Sequence, residues 1–322
     1  MNFKIKLGLI ALIGAMAFTA CKKKETPEET FTLANPITAQ ASLQDLKNFL
    51  SDNLENAKQS FTINEEAGAT ITGAQGTTIT FNANSFVNQS GVAVTGNVTI
   101  ELIEIFSKKD MILMNAATMG RQWDNTLKPL TSGGEMRVTA KQGGQYLKLA
   151  PGMNYQSTMP ATTIDPNMGL FYGEGGVTPD TLVWNAADSN QFFGQTGGYT
   201  FWSDSMNWVN CDFFNSYPGP QTIIQATPTS GFTNNNMLLF LSVDGINTIC
   251  NLYGFSGGNF TTAPNYTLPV GMSVHFIAIA MIAGNPHVSI VPATIVNNHI
   301  EVLPSLTQMT PAQLATALSN LP

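Results

Sequence analysis

Charged side chains are scarce in this 322-residue chain, 11% of the total against about 25% in ordinary domains. Arginine occurs twice, as Arg121 and Arg137, and histidine and cysteine three times each. Two arginines in a chain of formal net charge −7 leave no basic footprint for nucleic acid. No internal repeat of fixed period is found. The apolar run at residues 7–18 is a dozen residues long, short of the ~20 that a spanning helix needs. That shortfall argues against an uncleaved membrane anchor.

What surrounds that run is more informative. Lys4 and Lys6 precede it, Thr19-Ala20 close it, and Cys21 follows, with Lys22, Lys23 and Lys24 behind. This is the basic, apolar and cleavage-site order of a secretory signal, with cysteine as the first mature residue. A cysteine there is what a bacterial lipoprotein signal requires, so Cys21 is the expected lipidation site, although Phe18 is a poor match to the usual aliphatic residue. Each buried methylene contributes about 0.8 kcal/mol, so two or more acyl chains hold durably. Residues 21–40, with Pro27, Pro36, charges and threonines, read as a flexible tether. Removing residues 1–20 leaves 12 basic against 21 acidic side chains, a formal charge of −9.

The remainder reads as mainly β, two β-sandwich domains with a short helix at each end. An amphipathic helix is expected at residues 41–58, capped by Ser42, with Leu43, Leu46, Phe49, Leu50 and Leu54 on one stripe. A second is expected at 306–322, with Thr310 as cap, Pro311 in the first turn and Gln313 completing a capping box. The first sandwich occupies 59–160, with alternation at 77–81, 97–105, 136–140 and 146–149 and a Gly143-Gly144 turn. A Gly/Asn/Asp/Pro-rich connector at 161–198 holds one strand at Leu182-Val183-Trp184, and the second sandwich occupies 199–305. Asp244-Gly245 predicts a two-residue hairpin turn pairing Val243 with Ile246, Leu241 with Thr248 and Leu239 with Cys250. Residues 273–282 are apolar on both faces, as a central buried strand is. Asn297-Asn298 predicts a further hairpin between Ile295-Val296 and His299-Ile300.

Few constellations carry chemistry. Gly254-Phe255-Ser256-Gly257-Gly258 matches the nucleophile-elbow pattern, which needs a strand-to-helix turn. Residues 259–265 show no helical period, so a glycine-rich loop is the better reading. His275, His287 and His299 fall at dispersed strand positions, so no metal site is expected. Glu101 and Glu104, three apart on a strand, project to opposite faces and form no acid/base pair. Asp180, Asp188, Asp204 and Asp212 lack calcium-loop spacing and read mostly as solvated. Cys211 and Cys250 either form a disulfide, worth about 4 kcal/mol for a ~40-residue loop, or stay as buried inert thiols.

One aromatic concentration stands out. Phe192, Phe193, Tyr199, Phe201, Trp202, Trp208, Phe213, Phe214 and Tyr217 crowd a short segment of a chain that is 9% aromatic. Tyr199, Trp202 and Trp208 are the candidate ligand platform, where exposed coplanar rings would stack on sugars or anchor a protein. Strand-like alternation favours the alternative, a sandwich core.

Several motifs recur in order: Gly68-Ala69-Thr70-Ile71-Thr72, Asn82-Ala83-Asn84-Ser85-Phe86, Val94-Thr95-Gly96-Asn97-Val98, Leu130-Thr131-Ser132-Gly133-Gly134-Glu135, Trp208-Val209-Asn210-Cys211-Asp212-Phe213 and Leu268-Pro269-Val270-Gly271. Together they resemble a family of two-sandwich Gram-negative envelope lipoproteins over residues 60–305. The first half is also faintly similar to the β-sandwich domain shared by ankyrins, netrin receptors and zonula-occludens proteins, which serves protein interaction. The resemblance implies binding rather than catalysis and brings no active site. Phe213 stands where that pattern usually places a basic residue. The resulting expectation is an envelope protein, lipid-anchored in the outer membrane through Cys21 with its periplasmic or surface face undecided. It would act as a non-catalytic binding or scaffolding module for an envelope protein or glycan, with no cofactor. A hydrolase of envelope polymers is the rival expectation.

Overall fold

A computed structural model describes residues 41–175, 182–187, 192–195 and 197–322. Cys21, the signal and the tether lie outside the described residues. The described residues cluster as one unit. No helix among the described residues is long and apolar enough to cross a membrane.

The end helices form where their caps and stripes predict. In α1 (Leu43–Asn56) the Ser42 hydroxyl accepts from the Asp45 amide at 3.1 Å, satisfying one of the amides that a helix start leaves unpaired. Leu46, Leu50 and Leu54 recur every four residues and are all buried. A short helix, α2 (Lys108–Leu113), capped by Ser107, had no readable sequence period because six residues make under two turns. Helix α3 (Pro311–Ser319) carries the full capping box, with Thr310 and Gln313 each accepting from the other's amide, and buries Leu314 and Leu318.

Apart from α2, the regular structure described between the end helices is strand. The largest sheet has eight strands, its main path running Gln59–Asn64, Asn97–Ile105, Leu127–Gln142, Asn207–Phe214, Gly169–Glu174, Val183–Ala186 and Met119–Arg121. A five-stranded sheet follows the order Phe192–Gln195, Gly198–Ser203, Tyr155–Pro160, Thr78–Phe81 and Ala69–Thr72. Strands Gly198–Ser203 and Asn207–Phe214, expected in the second sandwich, thus pair with Tyr155–Pro160 and Leu127–Gln142 of the first half. Val98, Ile100, Leu102, Met136 and Val138 from the large sheet meet Ile79, Phe81, Tyr155 and Phe201 from the smaller one in a single core.

The large sheet is buried on its other face as well. Ile103, Ile105, Phe171, Trp184 and Trp208 belong to a second core that includes most of the second half. Burial from Gly134 through Ala140 is therefore continuous rather than alternating, as expected of a strand covered on both sides. A second five-stranded sheet supplies much of the second core, with Ser273–Ile282 at its centre as its two-sided apolar pattern predicts.

Two turns depart from expectation. Leu241 pairs with Cys250 and Ser242 with Ile249, a register two residues away from the one Asp244-Gly245 predicts. The cause is tertiary: Asn247 donates to the carbonyls of Phe106 and Ser132, and Thr248 donates to that of Leu130, drawing the turn onto the large sheet. A two-residue shift keeps every side chain on its face, so the core is unchanged. Ile300–Val302 forms no hairpin with Ile295-Val296 and instead pairs in parallel with Gln225–Thr227. Residues 146–149 are likewise split, Gln145–Tyr146 joining the large sheet and Lys148–Leu149 pairing with Phe86–Val87.

Candidate functional site

One recess among the described residues is a groove of about 580 Å³, within the ~300–1,000 Å³ range of small-ligand sites. It forms where the turn joining Met119–Arg121 to Leu127–Gln142 meets loops of the second half. Gln122 and Thr126 close that turn through an amide–carbonyl bond of 2.9 Å, Asn125 takes a positive φ of 66°, and Asp124 accepts from Thr126. Held this way, the turn projects Trp123 into solvent, 95% exposed. Gln122 and Thr126 line one wall, while Ser216, Tyr217, Gln221, Asn265 and Tyr266 contribute amides, hydroxyls and rings. Ile223, half-exposed, adds an apolar contact, and Lys128 is the single charged lining residue among those described. Such a wall offers neutral hydrogen bonding and flat apolar area, suited to holding a polar, uncharged chain.

The candidate platform is not assembled. Tyr199 and Trp208 are each only 2% exposed, and they enter different cores. The Tyr199 hydroxyl accepts from the Asp165 amide at 2.8 Å, and Trp208 meets Trp184 edge-on at 6.3 Å between centroids. Trp202 is partly buried, with Phe193 against it edge-on at 6.1 Å. Most of this aromatic segment therefore fills cores, because Gly198–Ser203 and Asn207–Phe214 are interior strands of the two sheets, whereas Phe192–Gln195 is an edge strand. Trp123, the exposed tryptophan, escaped notice because it stands alone. Its signal was local: Trp123 is followed by Asp124-Asn125, turn formers in a segment without alternation.

Cys211 and Cys250 are free and buried, one in each core, the second of the two alternatives the sequence left open. Burial pushes both thiols well above their usual range, which leaves them poor nucleophiles. Ser256 sits exposed on the hairpin joining Gly254–Ser256 to Asn259–Thr261, with Gly257 and Gly258 at positive φ and no helix after it. The histidines are dispersed: His275 Nδ1 lies 2.7 Å from Asp244, His287 Nδ1 3.1 Å from the Asn285 carbonyl, and His299 stacks on Phe276. No group of metal-binding side chains occurs among the described residues.

Sequence reasoning also missed a buried carboxyl pair. Asp212 and Glu135 are both fully buried, on neighbouring strands of the large sheet. Ser132 donates to Asn210 at 3.0 Å and Asn210 donates to Asp212 at 2.6 Å, whereas neither Glu135 oxygen has a hydrogen-bond partner. Burial raises both carboxyls well above their usual range, and the neighbouring Asp212 charge adds to the effect on Glu135. Neither lines the groove. Glu104 is buried too, accepting the amides of Gln75 and Thr77 at 2.9 Å and so fastening a turn of the smaller sheet to the larger. Glu101, on the opposite face, pairs with Lys141 at 3.0 Å.

Comparison with family models and with curated proteins returns no match to this chain.

Proposed function

We propose that the chain is a non-catalytic binding module of a bacterial envelope, tethered by acylated Cys21, that holds a neutral glycan in the groove beside Trp123. The two cores are read as two β-sandwiches that share the large sheet. The observation that carries the binding reading is the exposed ring of Trp123 on a turn whose ends line a groove rich in amides and hydroxyls. Sugars present flat C–H faces to such rings and hydroxyls to such amides. Binding is preferred to hydrolysis because the carboxyl pair Glu135 and Asp212 is sealed inside and lies off the groove. General acid–base work needs groups within hydrogen-bond reach of the substrate.

A panel of neutral oligosaccharides titrated against the full chain tests this reading. Saturable binding is expected, weakened at least tenfold by Trp123→Ala, with stability changed by less than about 0.5 kcal/mol because the ring packs on nothing. Turnover of any oligosaccharide would replace the module with a hydrolase. The anchor is tested apart from it: labelled palmitate should enter the wild-type chain and not Cys21→Ser.

A further inference from the structure

Arg137 lies on Leu127–Gln142, between Ile103 on one neighbouring strand and Trp208 on the other. It is 3% exposed, an unusual place for a guanidinium, which stays charged at every physiological pH. Buried charges are ordinarily paired, because leaving water without a counter-charge is costly. This one is oriented without being neutralised. Its Nε donates to Asn207 Oδ1 at 3.0 Å, its Cζ lies 5.9 Å from the centroid of the Trp208 ring, and its Nη2 has no hydrogen-bond partner.

Of the nearby carboxyl groups, Glu101 is engaged elsewhere and Glu135 holds no hydrogen bond. Glu101 takes Lys141 at 3.0 Å and Thr139 at 3.1 Å. Glu135, two residues along the same strand, is raised well above the usual range by burial and by Asp212, so it holds its proton more tightly and offers less charge. Among the described residues, one positive charge is therefore left over at this point of the sheet. Asn207, which aims the guanidinium, holds a φ of 100°, a conformation that a non-glycine residue adopts at a cost. Around the guanidinium lies a cavity of about 180 Å³, lined by Arg137, Thr139, Tyr146, Leu147, Met206 and Asn207. Tyr146 stands at its edge, 37% exposed. The volume is below the ~300 Å³ typical of whole drug-sized ligands, so it suits one small group.

We propose that this cavity binds the carboxylate of a small monoanionic ligand, with Arg137 as the charged anchor, Asn207 as the residue that positions it and Tyr146 at the mouth. A planar guanidinium matches a carboxylate edge to edge in a two-bond fork. A single unneutralised cation calls for a single negative charge, which favours a carboxylate over a phosphate dianion. The site shares no lining residue with the Trp123 groove, and neither reading depends on the other.

Calorimetric titration of the full chain with glucuronate, acetate, inorganic phosphate and glucose tests it. Saturable glucuronate binding is expected, with glucose at least tenfold weaker. Arg137→Lys, which keeps the charge and loses the fork, should weaken glucuronate at least tenfold. Asn207→Gly, which tolerates the positive φ and removes Oδ1, should weaken it several-fold. Should Arg137→Lys fail to fold, the Nε resonance of Arg137, assigned in an Arg121→Lys background, is followed instead and should move with glucuronate and not with glucose. Absence of saturable carboxylate binding to the folded wild type would overturn the proposal. So would glucose binding as well as glucuronate, phosphate binding more tightly than either carboxylate, unchanged affinity in folded Arg137→Lys, or a static Nε resonance.

Discussion

The two faces of the eight-stranded sheet are built by the same strands and have different characters. Toward the five-stranded sheet they present Val98, Ile100, Leu102, Met136, Val138, Val209 and Cys211, an apolar layer with the buried carboxyl of Glu104 at one end. Toward the second core, Ile103, Ile105, Phe171, Trp184 and Trp208 are interleaved with Glu135, Arg137 and Asn210. Alternation alone accounts for the pairing of characters, since neighbouring residues on a strand point opposite ways. The first face follows the ordinary rule of a core, apolar area removed from water, and its buried Glu104 is satisfied by the amides of Gln75 and Thr77. The second keeps polar groups at a cost in stability, and there the fold retains groups with unusual protonation and an unneutralised charge.

Substitutions sharpen that contrast. On the apolar face, Phe201→Ala should lower unfolding free energy by about 3–5 kcal/mol, since Phe201 is fully buried and the site cannot fully collapse around the missing ring. Urea denaturation checks it, and a loss under about 1 kcal/mol would mean this face is loosely packed.

On the polar face, the double change Glu135→Gln with Asp212→Asn should act in the opposite sense and depend on pH. Both carboxyls are raised in the folded chain, so above their unfolded values (4.5 and 3.8) the native state binds more protons than the unfolded one. Wild-type stability from these two groups is then intact at acid pH and falls as pH climbs from the unfolded toward the folded values. Each carboxyl costs up to about 1.4 kcal/mol for every pH unit of that climb. The double variant should be close to wild type near pH 4 and more stable at pH 8. A wild-type advantage that grows with pH would show that the pair is charged and compensated by other groups.

A smaller loss than that of Phe201→Ala is expected for Trp184→Phe. It removes the bond from the Trp184 indole to the Ala117 carbonyl at 3.0 Å while keeping a large ring. A loss of about 1–2 kcal/mol is expected from the lost hydrogen bond and the smaller volume, while the Ala117 carbonyl keeps the Met119 amide. Thermal melts compared with Phe201→Ala place the two faces on one scale.

Much of this was legible beforehand, and the residues show why. Ser42, Thr310 and Gln313 act within four residues of their targets, so the caps of α1 and α3 could be read from local chemistry. Alternation at Asn97–Ile105 named its buried face for the same reason. Trp208 and Asp212 could not be placed so simply. Each is an ordinary member of an alternating strand, and its burial depends on Leu127–Gln142 lying alongside and the second core lying above.

Local interactions, those closed within a turn or two of the chain, were therefore settled by residue order: the end helices, the β character and the facing of each strand. Which strands became neighbours was decided by the folded whole, because a period of two specifies a side and never a partner. The burial of Arg137 and Glu135 and the separation of Cys211 from Cys250 follow from that second choice.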